Sequence, residues 1–134
     1  MAESSADPVV LVVDDESVVR DMARRILEMD RYRVIEASNG IDALKILKDE
    51  TNIDLLFADL EMPELAGEEM ARRFKAARPD LKVLYVSGVI DRLLDQRPVL
   101  WDGEAFLSKP FTAESLLEAV AMILYGSITR PKSP

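Results

Sequence analysis

The sequence contains no cysteine and no histidine. Without cysteine, the chain can form no disulfide, no thiolate metal site and no cysteine nucleophile. Without histidine, it can form neither a serine–histidine triad nor a histidine-ligated zinc site, and it cannot carry a phosphohistidine. Long hydrophobic runs are missing as well, because no stretch approaches the ~20 apolar residues that span a bilayer. Any reactive group must therefore be a carboxylate, a hydroxyl or an amine.

Positive charge is also scarce. The chain has 17 Lys and Arg residues against 25 Asp and Glu residues, which gives a formal net charge of −8. Contacts to phosphate backbones require Lys and Arg, so we expect no direct binding to nucleic acid. The first residues lack the basic and apolar segments of a signal peptide. We therefore expect no membrane association and a cytoplasmic location.

The length of 134 residues and the hydrophobic content of 49% suit one globular domain with its own core. The polar start and the tail GSITRPKSP do not continue the pattern of the interior. We predict a disordered N-terminal segment at residues 1–8, a folded domain at 9–125, and a C-terminal tail or linker at 126–134.

Five short apolar runs alternate with amphipathic segments along the chain, which predicts strands alternating with helices in a mostly parallel α/β sheet. The runs are Val9–Val13, Arg33–Ala37, Asp54–Ala58, Lys82–Val86 and Ala105–Ser108. The first predicted helix has its apolar face at Val19, Met22, Ala23, Ile26 and Leu27. The last one has Thr112 as its expected N-cap, and residues 90–101 give the weakest helix signal because of Pro98.

Polar side chains stand where the predicted strands end. Asp14 and Asp15 follow the first run, Asp59 the third, Ser87 the fourth and Lys109 the fifth. In an open parallel sheet, ligands bind beyond the carboxyl ends of the strands. We therefore expect these five side chains to meet at one edge of the sheet.

Three carboxylates at short range repel one another unless a cation neutralises them, and Mg²⁺ is the hard cation that suits oxygen ligands. An aspartate can also act as a nucleophile and form an aspartyl-phosphate. Asp54 and Asp59 lie at opposite ends of one run, and the chain direction places only Asp59 at the carboxyl edge. Asp54 is expected at the far edge.

Four ordered motifs, VVLVVDDE, FADLEMP, VLYVSG and FLSKPF, resemble the receiver domain of two-component response regulators. The resemblance extends from about Val9 to Tyr125. The sequences of these motifs are similar to those of receivers attached to hybrid histidine kinases. It implies a flavodoxin-like, doubly wound sheet of five parallel strands in the order 2-1-3-4-5, with helices on both faces.

The resemblance also implies roles for the acidic residues. Asp59 would be the phosphoacceptor. Asp14 and Asp15 would position Mg²⁺ together with Asp59, and Asp15 would be a more direct ligand than Asp14. The backbone carbonyl of Glu61 would be a further ligand, and the Glu61 carboxylate would add a charge near the phosphoryl group.

The remaining implied roles concern the phosphoryl group and the switch. Ser87 would contact the phosphoryl group and couple it to the switch, and Lys109 would bond a phosphoryl oxygen. The Lys109–Pro110 peptide bond would be cis, which is uncommon. Phe106 occupies the position of a switching tyrosine in many receivers, and without a hydroxyl it leaves only a switch based on packing.

By this resemblance, the chain accepts a phosphoryl group from a histidine kinase or a histidine phosphotransfer protein and changes conformation. It would catalyse only its own phosphorylation and dephosphorylation. Its downstream partner is open, and a homodimer is possible. Two alternatives remain: a receiver-like interaction module that does not use phosphorylation, and a Mg²⁺-dependent aspartyl phosphatase with Glu61 as its second acid.

Overall fold

The computed structural model describes residues 7–49, 52–62, 65–88 and 104–127. In these residues, strands and helices alternate along the chain up to β4. The strands are β1 (Val9–Val13), β2 (Arg33–Ala37), β3 (Leu55–Asp59), β4 (Lys82–Ser87) and β5 (Glu104–Ser108). The helices are α1 (Ser17–Met29), α2 (Gly40–Asp49), α3 (Gly67–Ala77) and α4 (Ala113–Tyr125). The helix predicted at 90–101 lies outside the described residues.

The five strands form one parallel sheet in the order β2-β1-β3-β4-β5. This confirms the predicted flavodoxin-like order. Two strand pairings fix the edge that matters most, because Asp59 lies opposite Val86 and Ser87 lies opposite Ser108. The carboxyl ends of β3, β4 and β5 therefore stop at nearly the same level.

Two hydrophobic clusters cover the two faces of the sheet. One packs α2 and α3 against the strands through residues such as Leu47, Met70 and Phe74. The other packs α1 and α4 through residues such as Leu27 and Leu116. The helices therefore lie on both faces, as predicted, and β1 and β3 are buried along their whole length.

The third strand was predicted one residue too early, at Asp54–Ala58 instead of Leu55–Asp59. Asp54 lies just before the strand, where its carboxylate accepts a hydrogen bond of 2.8 Å from the backbone N–H of Val9. Asp59 is the last residue of the strand because it still pairs with Val86. The placement of Asp54 at the far edge is confirmed.

The fourth and fifth strands are also longer than the predicted runs. β4 extends by one residue to Ser87 and β5 begins one residue earlier at Glu104, because the β4–β5 ladder pairs Val83 with Glu104 and Ser87 with Ser108. The structure corrects one helical prediction as well: Met22, assigned to the apolar face of α1, is 37% exposed.

Two features position the helices beside the sheet edge. Thr112 caps α4 as predicted, and its hydroxyl and that of Ser115 each accept the other's backbone N–H. Gly67 begins α3 so close to β3 that an added Cβ would lie 2.4 Å from the carbonyl oxygen of Asp59. Among the described residues, no helix has both the length and the apolar character needed to cross a membrane.

Candidate functional site

The carboxyl edge of the sheet brings three aspartates and one lysine together. Oxygens from the carboxylates of Asp14, Asp15 and Asp59 all lie within 4.8 Å of one another. The Lys109 Nζ lies 3.0 Å from Asp14 Oδ2 and 3.4 Å from Asp59 Oδ1. The expected convergence of these strand ends is therefore confirmed, while the roles of the individual residues stay predictions.

Burial divides the three aspartates into two kinds. Asp14 and Asp59 are 0% and 1% exposed, whereas Asp15 is exposed. Asp14 and Asp59 therefore form the floor of the site, and Asp15 forms its rim. A cation arriving from solvent would meet Asp15 first, which fits the sequence-based prediction that Asp15 is the more direct ligand.

Backbone amides hold the two buried carboxylates in place. The N–H of Glu16 donates to Asp14 Oδ1 at 2.9 Å, and the N–H of Glu61 donates to Asp59 Oδ1 at 3.0 Å. Each is a bond from residue i+2 back to the aspartate, a local turn in which the side chain acts as acceptor. In Asp14, the second carboxylate oxygen faces the Lys109 ammonium.

The environment of Asp59 raises the pKa of its carboxyl from 3.8 to about 6. Burial is the largest cause, because it disfavours the charged form. The charge of Asp14 raises the pKa further, whereas the hydrogen bond from Glu61 and the charge of Lys109 lower it. Burial lowers the pKa of Lys109, but its hydrogen bond to Asp14 and the charges of Asp14 and Asp59 outweigh burial and raise it.

Ser87 ends β4 and is fully buried at the same edge of the sheet. Its carbonyl accepts a hydrogen bond of 2.9 Å from the backbone N–H of Lys109, which ties the ends of β4 and β5 together. The Lys109–Pro110 peptide bond is cis, as predicted.

The carboxylate of Glu61 reaches across to the strand next to its own. Its Oε1 accepts a hydrogen bond of 3.0 Å from the backbone N–H of Gly88, directly after Ser87. No pattern in the sequence predicts this contact, because it depends on how two loops approach each other. Glu61 thus joins the ends of β3 and β4 through its side chain.

Phe106 lies on β5 and packs against β4. Its ring stacks on that of Tyr85, with the centroids 5.1 Å apart and the planes at 22°. The Tyr85 hydroxyl donates to Glu104 Oε2 at 3.0 Å, and the Lys75 Nζ lies 3.4 Å from the same oxygen. No pattern in the sequence indicates these contacts of Tyr85 and Glu104, although the pairing of Tyr85 with Phe106 follows from the strand register.

Comparison with known proteins agrees with this architecture. The family model for the response regulator receiver domain matches residues 10–121. The chain is 31% identical over 118 residues to the response regulator receiver protein CpdR of Brucella abortus, covering 88% of this chain and 98% of CpdR. It is 32% identical over 121 residues to the sensor kinase CckA of the same organism, covering 90% of this chain but only 13% of CckA.

Among solved structures, the response regulator protein TrrA from Thermotoga maritima, in complex with Mg(2+)-BeF, is 31% identical to this chain. The TM-score is 0.77, and the match covers 87% of this chain and 99% of TrrA. The family match, the strand order and the acidic cluster agree with one another. The chain therefore belongs to the family of receiver domains of two-component response regulators.

Proposed function

We propose that Asp59 accepts a phosphoryl group from a phosphohistidine on a histidine kinase or a histidine phosphotransfer protein. The observation that carries this proposal is the position of Lys109. Its ammonium lies 3.4 Å from Asp59 Oδ1 and 3.0 Å from Asp14 Oδ2, at the end of a strand separated from Asp59 by β4. An amine beside a buried carboxylate can neutralise the charge that an incoming phosphoryl group brings.

The donor set of this site fits Mg²⁺. Three carboxylates face one nearby ammonium, so negative charge is in excess. Asp14 Oδ2 is buried, and the Lys109 ammonium faces it at 3.0 Å. Asp14, Asp15, Asp59 and the backbone carbonyl of Glu61 would hold the ion. When bound, Mg²⁺ would neutralise charge on the phosphoryl oxygens.

The chemistry requires little beyond this arrangement. A carboxylate oxygen of Asp59 attacks phosphorus, the phosphorus–nitrogen bond of the donor breaks, and its electron pair leaves with the imidazole. Lys109 contacts a phosphoryl oxygen, and the Ser87 hydroxyl donates a hydrogen bond to another. The sequence contains no histidine, so the donor lies outside these 134 residues.

The result of phosphorylation is a conformational change in the domain itself. Phosphorylation replaces the single carboxylate charge of Asp59 by a phosphoryl group with a charge of about −1.5 to −2, next to the buried carboxylate of Asp14. This charge biases a conformational equilibrium toward a state that a downstream protein recognises. The chain thus acts as a signalling switch and turns over no released substrate other than its own phosphoryl group.

The test is phosphorylation by acetyl phosphate, a small donor that needs no kinase. With Mg²⁺, we expect intact mass spectrometry to show the gain of one phosphoryl group, which chelation by EDTA abolishes. Asp59→Asn should gain none. Asp54→Asn is the matched control, because Asp54 belongs to the same segment but lies at its opposite end. Equal labelling of wild type and Asp59→Asn would refute the assignment.

The two alternatives have distinct outcomes in the same experiment. A module that does not use phosphorylation would show no mass gain with intact folding. An aspartyl phosphatase would release inorganic phosphate from a small phosphomonoester over many turnovers. The structure does not favour the phosphatase, because the Glu61 carboxylate accepts a hydrogen bond from Gly88 and joins two loops instead of standing free over Asp59.

A further inference from the structure

Arg20, in the first turn of α1, reaches back to the turn that carries Asp14 and Asp15. Its Nη1 donates to the backbone carbonyl oxygen of Asp14 at 2.6 Å. A distance this short is typical of a charge-assisted hydrogen bond, which is stronger than a neutral one. The Arg20 side chain is 18% exposed, so solvent competes little for this contact.

A second group holds the same guanidinium from the neighbouring strand. The Arg20 Nε lies 3.5 Å from Glu36 Oε1 on β2, and the other Glu36 oxygen lies 3.0 Å from the Nε of Arg24. Arg20 therefore bridges the β1–α1 turn and β2 through two different atoms. Glu36 also offsets the positive charge that Arg20 brings toward a cation site.

The contacted carbonyl has a particular place in the site. It belongs to the peptide bond that joins Asp14 to Asp15. Holding this carbonyl therefore holds the peptide plane between the two Cα atoms that carry the carboxylate side chains. The N–H of Asp14 is held as well, by a hydrogen bond of 3.3 Å to the carbonyl of Ala37. The backbone of Asp14 is thus held on both sides, by β2 directly and by β2 through Arg20.

We infer that Arg20 is a positioning residue for the metal site, which sets the directions of the Asp14 and Asp15 carboxylates through the peptide bond between them. This inference rests on the proposed function, because it concerns the Mg²⁺ affinity of the same site. Partners that orient metal ligands are typically worth about 10–100-fold in metal affinity. We expect Arg20→Gln to weaken Mg²⁺ binding by about tenfold.

Two variants separate positioning from simple charge. Arg20→Lys keeps the positive charge but loses the planar fork that contacts the carbonyl and Glu36 together. If Arg20 positions the turn, both variants bind Mg²⁺ more weakly, with Arg20→Lys between wild type and Arg20→Gln. If Arg20 acts only as a nearby cation, Arg20→Gln binds Mg²⁺ more tightly and Arg20→Lys is unchanged, which overturns the inference.

The measurement is a Mg²⁺ titration followed by the backbone amide chemical shifts of the full chain. Arg25→Gln is the matched control, because Arg25 is 73% exposed, lies on the same helix and pairs with Asp21. Thermal unfolding in EDTA checks that each variant folds. Unchanged Mg²⁺ affinity in both Arg20 variants refutes the positioning role alone, whereas a wild type that binds no Mg²⁺ refutes the proposed function and this inference with it.

Discussion

Replacing Asp59 by asparagine should stabilise the metal-free protein at neutral pH but not at pH 4. The wild-type carboxyl is 1% exposed, and its pKa is raised from 3.8 to about 6. A folded-state pKa above the unfolded one means that ionising Asp59 costs more in the fold than in the unfolded chain. Asparagine removes this cost because it does not ionise.

The sign and the pH window follow from linkage. Between pH 3.8 and about 6, the folded state binds more protons than the unfolded state, so the stability that Asp59 contributes falls as the pH rises. The contribution is fully present below pH 3.8 and lost above about 6. One pKa unit corresponds to about 1.4 kcal/mol, so this shift sets an upper limit of about 3 kcal/mol.

The expected gain is smaller than this limit. An asparagine oxygen can still accept the hydrogen bond from Glu61, but without the strength that a charge adds, and Lys109 loses one of its charge partners. We therefore expect Asp59→Asn to be more stable than wild type by about 1–2 kcal/mol at pH 7. The difference should shrink toward zero or change sign at pH 4.

Urea denaturation in EDTA at both pH values measures this difference, since titrating groups distant from Asp59 affect wild type and variant alike. Asp54→Asn controls for loss of a carboxylate elsewhere on the chain, because its hydrogen bond from Val9 can persist while no charge cluster is relieved. The reasoning fails if Asp59→Asn is less stable than wild type at pH 7, or if the gain is the same at both pH values.

Three further predictions concern the start of α3, the buried hydroxyl of Tyr85 and the binding of Mg²⁺. Gly67→Ala should destabilise the fold by about 1–3 kcal/mol in urea denaturation, despite the better helix propensity of alanine, because the new Cβ would meet the carbonyl oxygen of Asp59; a gain in stability would contradict this close approach. Tyr85→Phe should cost about 1–3 kcal/mol in the same assay, because it removes a buried hydroxyl that donates to the Glu104 carboxylate; no loss would show that this bond contributes nothing. Mg²⁺ should raise the melting temperature of wild type more than that of Asp59→Asn, since a ligand that binds only the folded state stabilises it; equal shifts in calorimetry would place the ion elsewhere.

The sequence pattern was sufficient for a parallel α/β sheet and for the members of the acidic site, whereas the strand order followed from the resemblance to receiver domains. The first, third and fourth apolar runs are short and nearly continuous, which is what a parallel strand buried on both faces requires. Parallel strands bring their carboxyl ends to one edge, so the sequence alone places Asp14, Asp59, Ser87 and Lys109 together. The choice of Asp59 over Asp54 needed only the direction of the chain.

The contacts that refine the site could not be predicted in the same way. Strand ends depend on pairing: Asp59 belongs to β3 because Val86 lies opposite it, and this register is not visible in one strand alone. No pattern of residue types in the sequence predicts the hydrogen bond from Arg20 to a backbone carbonyl. Met22 was assigned inward because helical periodicity gives a face, whereas the exposed fraction depends on which neighbours cover it.

The raised pKa of Asp59 has opposite consequences for stability and for reactivity. The burial that makes its charge costly also makes its carboxylate more basic than one in water, and a more basic oxygen is a better nucleophile. With a pKa of about 6, the carboxyl is still mostly ionised at pH 7, so reactivity is gained without losing the reactive form. Lys109 and the N–H of Glu61 limit the rise, because each favours the charged form. Removing Lys109 should therefore raise the pKa of Asp59 further and leave less of this proposed nucleophile ionised at neutral pH, in addition to removing the proposed contact to the phosphoryl group.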